Sequence, residues 1–416
     1  MSASAPSSSS SVAVQAVLDL LAQARYAQAI AALRTAVQQD RRVLADPAIK
    51  PWLGRRWRNL FLQAATADRR AVRVAHGLRG LVGKRRPVMQ QLGERFLLQA
   101  TAADWDSHLP PAQLPAGPRP TLVFCPGFLN GLLPVHAFEP ELRDLQDAGW
   151  PVLCADAHPV RGCEANVSDL LAAVREGRGF LPVPGQGADV ELVSGPPPGD
   201  MVLMGYSKGS PDILCLLAAH PELRSQVKAV FTWAGAIGGS FTANKIHDLI
   251  RGLPLDAVTQ HLHDFLSLLL PGITRKGTLR RLDEYAISEA VASLTTHERE
   301  AFLQRHGAAL DALAIPFFNV TGATSLFEVP TFQMADYLAL AKVDPDNDMQ
   351  VTQQQSRLDL PMASHLATLH GHHWDIAYPP FPRKLRLTTP NLDHPFPRHA
   401  GLLANLQLTV ELGLAG

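Results

Sequence analysis

Nine consecutive residues constrain this chain more than any others: Met201-Val202-Leu203-Met204-Gly205-Tyr206-Ser207-Lys208-Gly209. An apolar run of strand length enters Gly-x-Ser-x-Gly, and a helical pattern follows at once, from Pro211 to His220. A chain can pass so abruptly from strand to helix only through a sharp, strained turn. Glycines are needed on both sides of the serine because side chains there would meet neighbouring backbone. Such a turn lifts the Ser207 hydroxyl off the end of a sheet and sets a helix N-terminus beneath it. Free N–H groups and the helix dipole then favour negative charge near the hydroxyl. The blander alternative is a Gly-rich turn holding a buried serine.

The texture around this turn supports the first reading. From Thr121 onward short apolar runs alternate with helical segments, which argues for a mostly parallel sheet with helices on both faces, an α/β fold. Strands are expected at Thr121–Cys125, Val152–Asp156, Met201–Tyr206, Ala229–Trp233, Phe317–Thr321 and about Leu366–Leu369. Helices fit at Glu139–Ala148, Val167–Arg175, Pro211–His220 and Ala400–Leu412. Residues 237–313 interrupt the rhythm with mostly helical sequence, including the apolar stretch Phe265 to Leu270 and the charged stretch Arg275 to Glu284. An insertion after a strand, at the end where active sites collect, reads as a lid or cap.

Ahead of the sheet, Leu109 to Pro120 holds five prolines and reads as a linker. It divides an N-terminal helical extension, residues 1–115, from a sheet domain, residues 116–416. About the first 12 residues form a Ser/Ala tail expected to be disordered. Helical patterns then run over Ser11–Gln39, Leu60–Leu81 and Pro87–Thr101, with the basic, Trp-bearing run Trp52 to Arg58 between the first two. Net charge is formally zero for the 416 residues, so no nucleic-acid partner is expected. The charge is uneven, however: residues 1–115 hold 16 Lys and Arg against 7 Asp and Glu, and the remainder 22 against 31. The basic extension could therefore touch an anionic membrane surface or a partner, the alternative being helices packed on the sheet domain with a solvated basic face. No signal-peptide pattern opens the chain and no apolar stretch suits a bilayer span. Cys125 and Cys154 fall in strands and Cys215 in a helix, which leaves Cys163, in a loop, as the one thiol expected to be exposed. Reduced cysteines and no leader together point to a cytoplasmic location.

A nucleophilic serine needs a base, a carboxylate to orient it and donors for the oxyanion. Lys208, next after the serine, supplies one backbone N–H. The loop Phe124-Cys125-Pro126-Gly127-Phe128-Leu129-Asn130-Gly131 supplies the other, from Phe128, with Gly127 allowing close approach. The carboxylate should follow a late strand, and the acidic cluster Asp344-Pro345-Asp346-Asn347-Asp348 lies past Phe317–Thr321. Asp348 directly precedes an apolar step and is the first choice; Asp344, Asp346 and Glu328 are rivals. The base should follow the last strand, where His370, His372 and His373 compete. The group His365, His370, His372, His373 and Asp375 could also be read as metal ligands, but its spacing fits no zinc pattern. His394 and His399 lie near prolines and are expected at the surface.

Residues 120–412 resemble the α/β-hydrolase superfamily and, within it, the bacterial lipases and esterases. Pro126-Gly127-Phe128 is similar to their oxyanion loop, Ala234 to Ser240 to the segment before their lid, and Asn347-Asp348-Met349-Gln350-Val351 to the step carrying the catalytic Asp. His373-Trp374-Asp375 resembles their His-Leu-Asp step, and this selects His373 over His372. The resemblance also implies that Asp375 could hold a structural calcium; no other cofactor or metal is expected. This chain departs from the family at Pro126, where His is usual, and at Tyr206 and Lys208, where His and Gln usually flank the serine. It also lacks a secretion signal.

The expected chemistry is cleavage of a carboxylic ester or lipid through an acyl-enzyme, by Ser207, His373 and Asp348 with the N–H groups of Phe128 and Lys208. Apolar residues of the insertion, Phe265, Leu266, Leu268 and Leu269, suggest a hydrophobic acyl chain. A thioesterase or acyltransferase would use the same residues, and a binding module that keeps the fold without activity is the other class.

Overall fold

The computed structural model describes residues 8–77, 86–112, 118–128, 130–131, 133–182, 190–250, 281, 284 and 286–415. Its centre is an eight-stranded sheet built from β1 (Thr121–Cys125), β2 (Val152–Cys154), β3 (Arg178–Pro182), β4 (Val190–Ser194), β5 (Met201–Tyr206), β6 (Val227–Trp233), β7 (Phe317–Ala323) and β8 (Ala363–His370). The strand order is β4-β3-β2-β1-β5-β6-β7-β8. All neighbours are parallel except β2 with β3 and β3 with β4. Val123 stands opposite both Leu153 and Leu203, so β1 and β5 lie at the middle of the sheet. β5 is buried along its whole length, as the continuous apolar run Met201–Met204 requires of a strand covered on both faces.

The six expected strands are present, with ends displaced by a few residues. The β3–β4 hairpin was not anticipated. Its segments are five residues each, and β4 is half-exposed or exposed throughout, as an edge strand is. Neither segment carries the apolar run that marks the central strands.

Helices expected after the linker appear as α6 (Glu139–Asp147), α7 (Val167–Glu176), α8 (Gly209–Ala219) and α14 (Arg398–Glu411). Ahead of them stand α1 (Ser8–Ala22), α2 (Tyr26–Gln39), α3 (Lys50–Ala65), α4 (Arg69–His76) and α5 (Val88–Phe96). Within the insertion are α9 (Phe241–Ile250), α10 (Ile287–Ala292) and α11 (Thr296–Ala312), and further along are α12 (Met334–Ala341) and α13 (Arg383–Thr388). Residues Phe265, Leu266, Leu268 and Leu269 lie outside the described residues.

The N-terminal segment departs from expectation in detail. The helix expected over Ser11–Gln39 is two helices, broken where Ala24 turns left-handed (φ 55°). The helical part of the Ser-rich tail starts at Ser8. The basic run Trp52–Arg58 belongs to α3, and the helix expected to Leu81 stops at Ala65; the Asp68 side chain then caps α4 by accepting from the N–H groups of Arg70 and Ala71.

α3 packs between α14 and β8 in the shared core. Gly54 sits where a Cβ would come 3.0 Å from the Leu366 carbonyl oxygen of β8. Trp57 is fully buried, stacks on Phe61 at 5.5 Å and meets Trp233 of β6 edge-on at 6.3 Å. Its indole N–H donates to Asn405 of α14 at 2.8 Å. Arg56, also buried, forms a two-pronged pair with Glu411 (2.8 and 2.5 Å). After α5 the chain runs along the outer edge of β8, where Leu98 N–H donates to the Thr368 carbonyl at 2.9 Å and blunts that edge. Arg55 pairs with Asp106 and Arg58 with Asp104, so with Arg56 all three arginines of the basic run are paired within the molecule; Arg70 pairs with Asp393 nearer the surface.

Two further expectations fail. Cys163 is buried (1% exposed), like Cys125, Cys154 and Cys215, because the loop that carries it turns inward against Ser293. His394 is buried too, packed edge-on to Phe381 at 5.0 Å; the prolines around it guide the chain into the core instead of across the surface. Among the described residues no helix is long and apolar enough to cross a membrane.

Candidate active site

Ser207 stands where β5 turns into α8, with φ at 53°, the left-handed region that costs a serine energy. The flanking glycines explain how the turn closes. A Cβ on Gly205 would lie 2.5 Å from Ser210 N, and one on Gly209 would run into the Cys125 carbonyl oxygen of β1. A Cβ on Gly127 would lie 2.9 Å from the Ser207 Cβ, so the β1 loop passes directly against the serine. The turn is held by Ser207 N–H donating to Trp233 at 3.0 Å and Ala236 N–H donating to Ser207 at 3.1 Å.

Asp348 and His373 come to this serine from the loops after β7 and β8. His373 Nε2 is 3.0 Å from Ser207 Oγ, and His373 Nδ1 is 2.7 Å from Asp348 Oδ2. A carboxylate can only accept, so Nδ1 carries the proton and Nε2 is left to accept the serine hydroxyl. Asp348 is fully buried, and its other oxygen accepts from Gln350 N–H (3.0 Å) and Val351 N–H (2.8 Å). Those donors and the imidazole satisfy a charge that burial would otherwise make costly. The backbone is braced as well: His373 N–H donates to the Asp348 carbonyl at 2.9 Å. Tyr206 O–H donates to the His373 carbonyl at 3.0 Å, and burial pushes that phenol well above its ordinary range, so it stays a neutral donor.

The competing residues are engaged elsewhere. His370 pairs with Glu328 at 2.9 Å, and His372 donates from Nε2 to the Asn391 carbonyl while its Nδ1 accepts from Asp375 N–H. His365 lies beside Thr321 and Thr368. Asp344 accepts from Gln353 N–H, and Asp346 is exposed. The five potential metal ligands are therefore dispersed, and among the described residues no group of three or more His, Cys, Asp or Glu could hold a metal ion. Asp375 does not suit calcium, which takes six to eight oxygens. Its carboxylate accepts from Phe396 N–H at 3.3 Å and faces His394 at 4.0 Å. Its backbone carbonyl accepts from Arg398, which itself pairs with Glu141.

Neither the Phe128 N–H nor the Lys208 N–H donates to a backbone acceptor among the described residues. Phe128 lines the same cleft as Ser207 and His373, and Lys208 caps the N-terminus of α8. The Lys208 side chain runs along α8 and is buried, its ammonium held by both oxygens of Asp212 at 2.8 and 2.9 Å. Burial alone would lower this ammonium, but the Asp212 charge and its hydrogen bonds outweigh burial and hold it above its ordinary value. Asp212 was not singled out in the sequence; its place four residues after Lys208 in a helix pattern was the available signal. Tyr206 as a brace for the histidine carbonyl had no such signal, because residues 206 and 373 meet only in the folded chain.

The cleft over Ser207 has apolar walls from Leu133, Ile246, Val291 and Leu294, with Trp374 and Tyr378 near the histidine and Gln333, Asp336 and Gln350 on a polar part.

No protein-family model matches the chain, and no curated protein matches it. Solved structures do. A metagenomic carboxyl esterase matches with a TM-score of 0.60 and 21% identity over 85% of this chain and 90% of that one. A Bacillus licheniformis lipase in its mature form matches with a TM-score of 0.41 and 22% identity, over 64% and 89%. A Staphylococcus hyicus lipase matches with a TM-score of 0.42 and 14% identity, over 72% and 96%. The first likeness, with the sheet order, shows that the chain has the α/β-hydrolase fold. At 85% of the chain it reaches into the N-terminal helices as well.

Proposed function

We propose that this protein is a serine hydrolase that cleaves carboxylic esters through an acyl-enzyme. The observation that carries the reading is the continuous line from Ser207 Oγ to His373 Nε2 (3.0 Å) and from His373 Nδ1 to a buried Asp348 (2.7 Å). That line opens on a partly apolar cleft. Ser207 Oγ attacks the acyl carbon as His373 takes its proton, and the carbonyl π pair moves onto oxygen. Asp348 holds the imidazole in the tautomer that accepts and stabilises the imidazolium that forms. The N–H groups of Phe128 and Lys208 donate to the oxyanion, which raises the rate because the charge they meet exists only in the transition state and intermediate. Collapse of the intermediate breaks the bond to the alcohol oxygen, which leaves with the proton from His373. Water, deprotonated by His373, then attacks the acyl carbon and releases acid and serine.

The left-handed φ of Ser207 supports this role, since strain of that kind gathers where a side chain must be presented. The class of bond is suggested by the fold neighbour, which is a carboxyl esterase. The test is labelling with a fluorophosphonate probe, with the modified peptide mapped by mass spectrometry. Modification of Ser207, lost in Ser207→Ala together with hydrolysis of p-nitrophenyl butyrate, is the expected result. A folded protein that neither labels nor turns over any ester across several pH values would refute the proposal.

A further inference from the structure

The cleft that holds Ser207 has a part that apolar substrate could not satisfy. Gln333, Gln350 and Asp336 line it together. Gln333 is only 1% exposed, and an amide so deeply placed should find partners for its hydrogen-bonding groups. It finds one: Gln350 Nε2 donates to Gln333 Oε1 at 2.9 Å. Among the described residues Gln333 Nε2 then has no acceptor and Gln350 Oε1 no donor. Exchanging oxygen and nitrogen in both amides leaves the offer unchanged, one donor and one acceptor. The pair is also fixed relative to the reacting atoms. Gln350 N–H donates to Asp348 Oδ1 at 3.0 Å, and its carbonyl accepts from Ser240 Oγ at 2.9 Å. Gln350 therefore belongs to the same turn that holds the carboxylate beside His373, and its amide ties Gln333 to that turn.

Asp336 adds a charge. It stands in the first turn of α12, and Lys245 of α9 comes within 3.9 Å of it. The Lys245 side chain is 59% exposed and the Asp336 side chain 35%, so solvent screens both charges, the cation more than the carboxylate, and the pair presents a reduced negative charge to the cleft.

We propose that Gln333, Gln350 and Asp336 form a polar subsite that binds an uncharged hydrogen-bonding group of the substrate, a hydroxyl or an amide, and repels a carboxylate. This deepens the serine-hydrolase reading and rests on it. A hydroxyl both donates and accepts, so it fits an unpaired donor beside an unpaired acceptor. A carboxylate could use only the unpaired amide donor and would lie near the like charge of Asp336. A purely aliphatic chain would leave both amide groups unpaired, and a site with buried polar groups discriminates strongly against a ligand that cannot meet them.

The test is a set of p-nitrophenyl esters with saturated chains, each compared with its hydroxylated counterpart at successive carbons and with its terminal carboxylate. For at least one hydroxyl position, kcat/KM should exceed that of the parent by about tenfold, and the carboxylate should fall about tenfold below it. Gln333→Leu should bring the hydroxyl-to-parent ratio close to one, and Asp336→Asn should do the same for the carboxylate-to-parent ratio. Each ratio is internal to one protein, so partial loss of folded material does not alter it, and Asp336→Asn is nearly isosteric at a half-exposed position. Parents hydrolysed as well as every hydroxylated ester, or ratios that neither variant moves, would overturn the subsite while leaving the hydrolase reading in place. Absence of turnover for all esters together with absence of fluorophosphonate labelling would overturn both.

Discussion

At the scale of single residues, environment decides what a side chain can do. Four histidines lie within nine positions, 365, 370, 372 and 373, and each meets different neighbours. His373 has a buried carboxylate on one nitrogen and a serine hydroxyl on the other. His365 has hydroxyl groups of Thr321 and Thr368 and, among the described residues, no carboxylate contact; burial, helped by the charge of Arg357, brings its imidazole down to about 3. Its consequence for stability has a definite sign. The folded chain binds this proton less readily than the unfolded chain, whose histidine titrates near the ordinary value of about 6.5. The contribution of neutral His365 is thus complete above about pH 6.5 and declines as pH falls from there toward about 3. Urea midpoints at pH 7.5 and pH 5 should therefore differ more for the native protein than for His365→Gln, which cannot take up a proton. An equal pH dependence in the two would show that His365 does not carry the effect.

At the scale of elements, the strand-to-helix turn is the junction on which the site depends. It brings the N-terminus of α8 so close to β1 that Gly209 has no room for a side chain beside the Cys125 carbonyl. Gly209→Ala should destabilise the protein by about 1–3 kcal/mol or more, because a backbone atom cannot step aside as a flexible side chain can. Gly195 is the control: a Cβ there meets nothing within 4 Å, and Gly195→Ala should stay within about 0.5 kcal/mol of the native protein. Chemical denaturation of both variants measures the difference. If the two substitutions prove equal, the close approach at the elbow is not what selects glycine.

At the scale of the molecule, the N-terminal helices share a core with the sheet. Trp57 and Phe61 of α3 are buried against Trp233 and Phe396, and the Arg56–Glu411 pair joins α3 to the last helix with both side chains sealed from water. Removing one partner of such a pair leaves an uncompensated buried charge, typically worth about 3–5 kcal/mol. A chain beginning at Pro118 would lose Arg56 and bare the aromatic faces that α3 covers. It should fail to give a cooperative thermal transition and should elute as an aggregate on size exclusion. A monomeric, cooperatively melting product would show that the sheet domain is self-sufficient and that the helices are an appendage.

The sequence by itself determined the α/β alternation, six of the eight strands and the elbow, because each is written in local terms: apolar runs of strand length, and glycines where backbone approaches backbone. It put Asp348 ahead of Asp344, Asp346 and Glu328 from its place before an apolar step, but spacing alone left the base open among three histidines. Tertiary structure decided the rest. The β3–β4 edge hairpin has no run of its own to announce it, since half of an edge strand faces water. The placing of α3 in the core was hidden because its arginines read as a solvated face until Glu411, 355 positions later, supplied the opposite charge. The polar part of the cleft was equally illegible: Gln333, Asp336 and Gln350 are ordinary residues in sequence. They acquire meaning only when the long connection between β7 and β8, with α12 inside it, folds back and brings all three to the cleft that holds Ser207.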